Sequence, residues 1–446
     1  MRITKISVSK LFGRFNYDIE LTPPTGIAIL TAPNGYGKST ILKILQSFAS
    51  GEYYYFIQEN FHKIEFTFSE GEPLVIYKSP EDIINNRVTF NRSGDLTKIR
   101  DPFEENGEES AFFIDRALPF LTRVGPRIWR HVRSGEVLDA LQVVSRYGSH
   151  PALRRNIKQA EWLEKIRASV QVYSIPTNRL TPSDQSEASE DNSNLMVGAI
   201  AGEIAKLIKE TIQLQFEIGR EKETSFPQRI IESLNTEQPP TKETIATLIG
   251  QLQEYESRLA RLGLLPHGVT TQQLNNHNQI DNAATLVVLK TYLDDIAEKF
   301  SKLDDVANKL DVFTSSVNEL FRFTTAAPSS EKGIIIRTKD GQKSELDLST
   351  LSSGEQHLIV IIGKLVFNTA PGSMVLIDEP EISFHPEWQE KFLDILERIR
   401  TVNDFTAIIA THSPIVIGDR WDDAIELAEL YNNHSYGRDQ DEAQQS

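Results

Sequence analysis

A short glycine-containing stretch near the start of the chain has the residue types of a phosphate-binding loop. Residues 32–40 read APNGYGKST and lie between an apolar run at 26–30 and a segment with helical periodicity. We expect Lys38 to contact the β and γ phosphates of a nucleotide, Ser39 to ligate Mg²⁺ and Thr40 to meet the α phosphate. The nucleotide-binding loop also includes Asn34, Gly35, Tyr36 and Gly37.

The two glycines of this loop carry the physical argument. Gly35 and Gly37 let the backbone curl so that successive N–H groups point inward, and the dipole of the following helix adds to that anion site. The loop departs from the usual pattern at its first position, where Ala32 replaces glycine. Alanine is small, and the strand–loop–helix context favours a phosphate loop over a chance glycine turn.

Two adjacent carboxylates follow a second apolar run. Residues 374–379 read MVLIDE, so a buried strand is predicted to deliver Asp378 and Glu379 at its carboxyl end, where ligands bind in open α/β sheets. Asp378 would hold Mg²⁺, directly or through water. Glu379 would polarise the water that attacks the γ phosphate. A strand that ends in solvated acidic residues is common, and the phosphate loop upstream is what favours the catalytic interpretation.

Two further motifs lie before and after the carboxylate pair. In LSSGEQ, at 351–356, Ser353 and Gly354 can offer a hydroxyl and an N–H to an anion at a helix N-terminus, and we assign Ser352 and Glu355 to the same nucleotide-binding motif. The same motif also reads as an ordinary helix cap, in which Ser352 and Glu355 form a capping box. In ATHSP, at 410–414, His412 follows a buried strand. We interpret His412 as a γ-phosphate sensor.

Together the four motifs resemble the head of an ABC-type ATPase of the RecF, SMC and OLD branch. APNGYGKST, LSSGEQ, MVLIDEPEISFHPEWQ and ATHSP follow one another in the order phosphate loop, signature, Walker B with D-loop, and switch histidine. SFHPEWQ, ATHSP and IGDRW further resemble bacterial antiviral-defence ATPases, including the subunits AriA of PARIS and PtuA of Septu. The resemblance covers residues 1–100 and 321–427.

This resemblance implies ATP and Mg²⁺ as cofactors and a site that two copies complete. In the family, two heads dimerise head-to-tail, so Ser353 and Gly354 of one copy would contact the γ phosphate held at Lys38 of the other. Glu379 would then support hydrolysis while His412 holds the γ phosphate. The chain would act as a homodimer or a higher homo-oligomer.

The glutamine of the family's Q-loop has two candidate positions. The segment VYSIPTNRL, at 172–180, reads as a strand that runs into the site and places Asn178 where the glutamine often lies. Gln58 lies at a plausible sequence distance from the phosphate loop. We favour Asn178 for nucleotide binding.

Apolar periodicity predicts an α/β fold with a mainly helical middle. The resemblance implies that this fold is an ABC-type P-loop ATPase head with a mixed sheet and flanking helices, split by a large helical insertion. The predicted parts are an N-terminal head part at 1–100, a mainly helical interaction domain at 101–320, a C-terminal head part at 321–430 and a polar tail at 431–446. Heptad-like seams at 245–262 and 289–310 predict a short helical hairpin or two ordinary packed helices. The acidic stretch 181–194 is expected to be a mobile loop.

The overall charge argues against a nucleic-acid coat protein. The 446 residues include 47 Lys and Arg against 63 Asp and Glu, a formal net charge of −16, and no cysteine. Residues 123–167 differ, with ten Lys and Arg, four Asp and Glu, and the aromatic residues Trp129 and Trp162. This segment suits nucleic-acid phosphates and stacked bases, an acidic partner protein, or a solvated helix face. The lack of cysteine excludes disulfides and cysteine-based zinc sites.

We expect an ATP-hydrolysing sensor or scaffold subunit of a bacterial antiphage defence system, with a separate nuclease or toxin as effector and a phage protein as trigger. We expect no fused nuclease domain, because only a short stretch follows His412. No signal peptide and no apolar run of about 20 residues occur, so a cytoplasmic protein without membrane contact is expected. The alternative is a RecF-like DNA repair or recombination ATPase that binds DNA through 123–167. A third reading is a nucleotide-gated binding platform with incidental turnover.

Overall fold

The computed structural model describes residues 1–100, 107–132, 135–147, 160–175, 196–236, 238–265, 282–340, 344–382 and 384–430. The chain divides into two compact units. The first comprises Met1–Thr177, Thr369–Leu393 and Asn403–Ser446, and the second comprises Asn178–Asn368 and Asp394–Val402. The domain boundaries predicted from the sequence stay a prediction.

The strands, in chain order, are β1 Ile3–Leu11, β2 Phe15–Glu20, β3 Ile27–Thr31, β4 Lys63–Phe68, β5 Leu74–Tyr77, β6 Arg87–Arg92, β7 Asp95–Arg100, β8 Leu121–Gly125, β9 Ile128–His131, β10 Val137–Asp139, β11 Val172–Ile175, β12 Thr324–Ser329, β13 Gly333–Thr338, β14 Glu345–Leu346, β15 Met374–Asp378, β16 Thr406–Thr411 and β17 Ala424–Glu426.

The helices are α1 Lys38–Ser50, α2 Tyr55–Gln58, α3 Pro80–Ile84, α4 Gly107–Ala117, α5 Ala140–Tyr147, α6 Glu161–Ser169, α7 Met196–Thr236, α8 Lys242–Arg261, α9 Ala283–Ser301, α10 Asp304–Leu320, α11 Ser353–Gly363, α12 Pro386–Arg400 and α13 Pro414–Ile417. A π-helical turn, Lys364–Asn368, continues α11. None of the helices in the described part of the chain is long and apolar enough to cross a membrane.

The first unit contains a parallel sheet in the order β11-β15-β16-β3-β17. Every neighbouring pair in it runs parallel. Strands β3 and β16 are buried along their whole length, as expected for apolar runs in a sheet covered on both faces. The helix α1 buries Ile41, Leu42, Ile44, Leu45 and Phe48. Each fully buried side chain of this size contributes about 1.5–3 kcal/mol.

An antiparallel sheet in the order β2-β1-β4-β5-β6-β7 forms the second layer of this unit. Its strands alternate, so that β1 buries Ile3, Ile6, Val8 and Leu11 while the residues between them reach solvent. These side chains join one hydrophobic cluster with residues of α1 and of the parallel strands. The antiparallel sheet therefore braces the strand and helix that flank the phosphate loop.

The second unit contains α7 to α11 and a small antiparallel sheet in the order β12-β13-β14. Ion pairs join α7 to α9, through Lys222 with Glu298 and Arg229 with Asp295. Arg258 of α8 similarly pairs with Asp311 of α10, and Tyr255 donates to Phe300 O at 3.3 Å. These helices pack on one another, as both the hairpin and the packed-helix interpretation predict.

The predicted fold class is confirmed, because an α/β head carries a long helical region inserted between the neighbouring strands β11 and β15. Strands β4 and β5 form an antiparallel hairpin. Helix α12 follows the strand β15 that carries Asp378. The acidic stretch 181–194 and the tail 431–446 lie outside the described residues.

Two details of the helical middle differ from the prediction. Residues 121–125, 128–131 and 137–139 form the strands β8 to β10 rather than helix. Segments this short do not show a clear period in the sequence. The seam at 289–310 is also interrupted, since α9 ends at Ser301 and α10 begins at Asp304. The apolar spacing of the seam continues across the break between α9 and α10. The break could therefore not be predicted from the sequence pattern.

A buried lysine lies beside the antiparallel sheet of the first unit. Lys78 is 7% exposed and its ammonium donates to Ile57 O at 2.8 Å and to Glu59 O. It also lies over the ring of Phe61, 4.8 Å from the centroid. Burial lowers the pKa of Lys78 from 10.5 to about 8, against the opposing effect of the Glu59 charge.

This pKa shift predicts how Lys78→Met changes stability with pH. Below pH 8 the folded and unfolded chains both carry the proton, so the cost of the buried charge is fully present. Between pH 8 and 10.5 only the unfolded chain binds it, and the wild-type free energy of unfolding rises relative to Lys78→Met. Urea unfolding of both proteins at pH 7 and pH 10 measures this change. Lys63→Met, which removes an exposed lysine of β4, controls for the loss of a positive charge. If the free energy of unfolding changes with pH equally in Lys78→Met and the wild type, the prediction is contradicted.

Candidate functional site

The carboxyl ends of three neighbouring parallel strands bring the sequence-predicted residues of the first unit together. Strand β3 leads into the phosphate loop, β15 ends at Asp378, and β16 leads to His412. The register aligns Asp378 with Ala410, and Thr411 with Thr31. Because parallel strands end at one edge, residues far apart in sequence meet there. This edge is the candidate site.

Both glycines of the phosphate loop adopt left-handed backbone conformations. Gly35 has φ of 89° and Gly37 has φ of 86°. A Cβ at Gly37 would lie 3.1 Å from Leu11 Cδ2, whereas a Cβ at Gly35 would meet no atom within 4 Å. The carbonyl of Tyr36 accepts a 2.8 Å hydrogen bond from the Tyr17 hydroxyl, which ties the loop to the antiparallel sheet. Asn34 and Gly35 are exposed at the tip of the loop.

Helix α1 begins directly at the loop, with Gly37 at its N-cap and Thr40 half-buried in its first turn. No acidic residue occupies this turn of the fully described helix, so the positive end of its dipole is not neutralised there. Lys38 is 6% exposed, and its ammonium donates to Ala32 O at 2.7 Å. The charge of Lys38 is therefore held inside the curve of the loop itself.

The Ser39 hydroxyl donates to Asp378 Oδ1 at 3.0 Å. Two oxygen ligands thus converge from the start of α1 and the end of β15. A hydroxyl and a carboxylate are the hard oxygen donors that Mg²⁺ takes at phosphate sites, where it keeps several waters and bridges to the substrate. The pair therefore fits the predicted metal site.

Glu379 follows Asp378 with an unusual backbone. Its φ is 44°, which is rare for a residue with a side chain and costs on the order of 1–3 kcal/mol. Its N–H donates to Ala410 O at 2.8 Å, and this bond to β16 holds the bend. The carboxylate is partly exposed, and its Oε1 lies 3.9 Å from His412 Nδ1. The predicted base and the predicted switch histidine are thus neighbours.

The sequence reasoning missed Glu381. This residue is 8% exposed, and its Oε1 lies 3.0 Å from His412 Nδ1. The same oxygen accepts from the Thr411 hydroxyl at 2.8 Å and from the His412 backbone N–H at 3.1 Å. The sequence held one signal, an acidic residue just beyond a buried strand. Nothing in the residue types showed that the chain bends back to bury it.

The signature motif lies in the second unit, where it begins α11. Ser352 is the N-cap and forms a complete capping box, with Glu355 N donating to Ser352 Oγ at 3.3 Å and Ser352 N donating to Glu355 Oε2 at 3.0 Å. Ser353 and Gly354 occupy the first two helical positions. The capping interpretation is confirmed. Anion binding by Ser353 and Gly354 stays a prediction.

The two Q-loop candidates are not brought to this edge by any described contact. Asn178 lies outside the described residues. Gln58 is exposed at the last position of α2. The choice between them stays a prediction.

The two tryptophans of the basic segment differ in burial. Trp129 is fully buried, and its indole N–H donates to Asp115 Oδ1 at 2.6 Å. The indole of Trp162 is half-buried and donates to Thr97 Oγ1 at 3.0 Å. The suggestion that Trp129 stacks on bases is therefore wrong, because a buried ring offers no free face.

Parts of the chain are similar to known proteins. Residues 214–418 match the protein-family model described as "AAA domain, putative AbiEii toxin, Type IV TA system". Protein ea59 of Escherichia phage lambda is 40% identical over 70 residues, which are 16% of this chain and 13% of ea59. The Retron Vc95 probable ATPase of Vibrio cholerae serotype O1 biovar El Tor is 35% identical over 85 residues, 17% of this chain and 16% of that protein. The chain thus spans a small part of these relatives' lengths.

Solved structures of Smc head domains also align with the chain. An Smc head bound to the C-winged helix domain of ScpA covers 96% of this chain and 94% of its own, at 10% identity and a TM-score of 0.38. The SMC head domain from Thermotoga maritima covers 95% and 92%, at 11% identity and a TM-score of 0.34. The fold assignment rests on the strand order and loop geometry described above. The family model matches less than half of the chain.

The two loop glycines predict a difference between matched alanine variants. Gly35→Ala should lower the free energy of unfolding by about 1 kcal/mol, from the left-handed φ alone. Gly37→Ala should cost about 2 kcal/mol, because Leu11 and Phe12 must also shift. Urea unfolding followed by circular dichroism measures both values. Equal costs would show that the contacts at Gly37 do not constrain the loop.

Proposed function

We propose that the chain binds Mg²⁺–ATP at the edge of the parallel sheet and hydrolyses it to ADP and phosphate. The contact between Ser39 Oγ and Asp378 Oδ1 carries the proposal, since it joins the phosphate loop to the acidic strand end. The match to an AAA domain and the 35% identity to a retron ATPase support it.

In this proposal the chain's own groups bind and orient the triphosphate. The inward-facing N–H groups of the loop and the N-terminus of α1 bind phosphate oxygens. Lys38 places its charge on the β and γ phosphates, and Thr40 meets the α phosphate. When bound at Ser39 and Asp378, Mg²⁺ neutralises charge that develops on the phosphates.

The water that attacks the γ phosphate is oriented by Glu379 in the same proposal. Its carboxylate is partly exposed and lies 3.9 Å from His412 Nδ1, just after the end of β15. His412 contacts the γ phosphate. Such a pair, a base and a γ-phosphate contact, is what positions the nucleophile in nucleoside triphosphate hydrolysis.

A second copy of the chain completes the site in this proposal. Ser353 and Gly354 begin a helix that is already capped by Ser352 and Glu355, so the first-turn N–H groups have a fixed direction. We propose that these two residues contact the γ phosphate held by the partner copy. ATP binding would close a head-to-tail homodimer, and hydrolysis would open it.

The cellular role we propose is that of a sensor or scaffold subunit in antiphage defence, with a separate nuclease or toxin as effector. Two similarities support it, namely the retron ATPase and the family description that mentions a toxin. A phage protein is the proposed trigger.

DNA binding through residues 123–167 receives less support, since Trp129 is buried. Turnover that does not respond to DNA at any salt concentration separates the defence proposal from a repair ATPase.

Three variants test the ATPase proposal. Lys38→Ala should abolish ATP binding, because it removes the charge inside the loop. Glu379→Gln should keep ATP affinity but lower kcat by about 10²–10⁴-fold, since it removes the base. His412→Ala should slow turnover by about 100-fold without abolishing binding. Phosphate release and equilibrium ATP binding measure these effects.

Lys43→Ala is the matched control, because Lys43 lies on the same helix and pairs with Glu52 outside the site. It should leave both constants unchanged. Sedimentation of Glu379→Gln with Mg²⁺–ATP should also reveal a dimer that Lys38→Ala does not form. Normal turnover in Glu379→Gln would contradict the proposed base. A monomer at saturating ATP would contradict the two-copy site.

A further inference from the structure

A buried carboxylate at the sheet edge has an uneven hydrogen-bonding pattern. Glu381 Oε1 accepts from the Thr411 hydroxyl and the His412 backbone N–H, and it lies 3.0 Å from His412 Nδ1. The other oxygen, Oε2, is fully buried and has no hydrogen-bond partner among the described residues. All donors are therefore concentrated on the oxygen that faces the histidine.

A buried carboxylate oxygen without a partner lowers the free energy of unfolding. A buried polar atom without a partner costs about 1–3 kcal/mol, and more when it is charged. An aliphatic side chain of similar volume would remove this cost. Buried polar groups that destabilise the fold are concentrated at functional sites.

Backbone hydrogen bonds fix the position of Glu381 close to His412. The left-handed bend at Glu379 turns the chain back, and the following turns are closed by Ile382 N donating to Glu379 O at 3.2 Å and Phe384 N donating to Glu381 O at 3.0 Å. The carboxylate thereby reaches under the end of β16. It meets Thr411 and His412 where that strand ends.

The two ring nitrogens of His412 have different surroundings. Nδ1 lies 3.0 Å from Glu381 Oε1, within reach of a hydrogen bond, and Nε2 lies on the far edge of the ring of a side chain that is 52% exposed. Carboxylates that accept from one nitrogen of a functional histidine orient its ring and fix its tautomer. Glu379 is farther from the ring, at 3.9 Å, and more exposed.

We propose that Glu381 is a positioning residue that holds His412 with its proton on Nδ1 and presents Nε2 to the γ phosphate of bound ATP. The role rests on the proposed ATPase function. It assigns different tasks to the two glutamates. Glu379 orients the attacking water, and Glu381 acts only through His412.

A double-mutant cycle tests this division. Glu381→Gln keeps the size of the side chain but removes its charge, and it should lower kcat about 10-fold with little change in KM. In the His412→Ala background the same change should alter kcat by less than about twofold, because residues that act through one another are not additive. Ser413→Ala is the control, since it alters a buried hydroxyl in the same loop that bonds to Gln389 instead.

A spectroscopic readout separates positioning from a merely structural role. The chain has nine histidines, and the ¹⁵N ring signals lost in His412→Ala assign those of His412. Wild-type protein should show the Nδ1–H tautomer, and Glu381→Leu should shift the ring toward the Nε2–H tautomer that predominates for free histidine. Thermal unfolding checks that both variants are folded, and Glu381→Gln remains informative if Glu381→Leu is not.

The outcomes are distinguishable. Wild-type protein without ATPase activity would overturn the proposed function. An active wild type with unchanged kcat and unchanged His412 signals in both Glu381 variants would overturn the positioning role alone. A full 10-fold effect of Glu381→Gln in the His412→Ala background would show that Glu381 acts on the substrate directly.

Discussion

The candidate site depends on one contact between residues that lie 339 positions apart, the hydrogen bond from Ser39 to Asp378. This contact exists because β16 lies between β3 and β15 in a parallel sheet. The loop that follows β3 therefore faces the carboxyl end of β15. A register shift of one residue would turn every side chain of the strand to the opposite face. The sheet therefore sets the metal ligands, and the large insertion is tolerated because it joins β11 and β15 without entering their register.

Local costs are concentrated at this edge. Glu379 has a left-handed backbone, Gly37 has one where a side chain would meet Leu11, and Glu381 buries an oxygen that accepts no bond from the described residues. None of these features stabilises the fold. The buried strands β3 and β16 on either side over-determine the backbone and hold it in these conformations. Departures from local preference are expected where function, rather than stability, selects the geometry.

The parts of the site that the sequence predicts are those encoded locally. An apolar run followed by glycines and Lys38 specifies strand, loop and helix within fifteen residues of chain, and MVLIDE specifies a buried strand with its ligand. The role of Glu381 could not be predicted this way. Its burial depends on the backbone bend at Glu379, which no residue type in the sequence indicates. The strands β8 to β10 were missed for a related reason. Trp129 of β9 packs in a hydrophobic cluster with residues from other elements, and its indole N–H donates to Asp115 of α4.

Isothermal titration of ATP with and without Mg²⁺, for wild type and Asp378→Ala, tests the central claim most directly. If Ser39 and Asp378 form the metal site, Mg²⁺ should raise the ATP affinity of the wild type by at least about tenfold and should leave that of Asp378→Ala nearly unchanged. The same dependence on Mg²⁺ in both proteins would contradict the account, since the metal would then be held elsewhere.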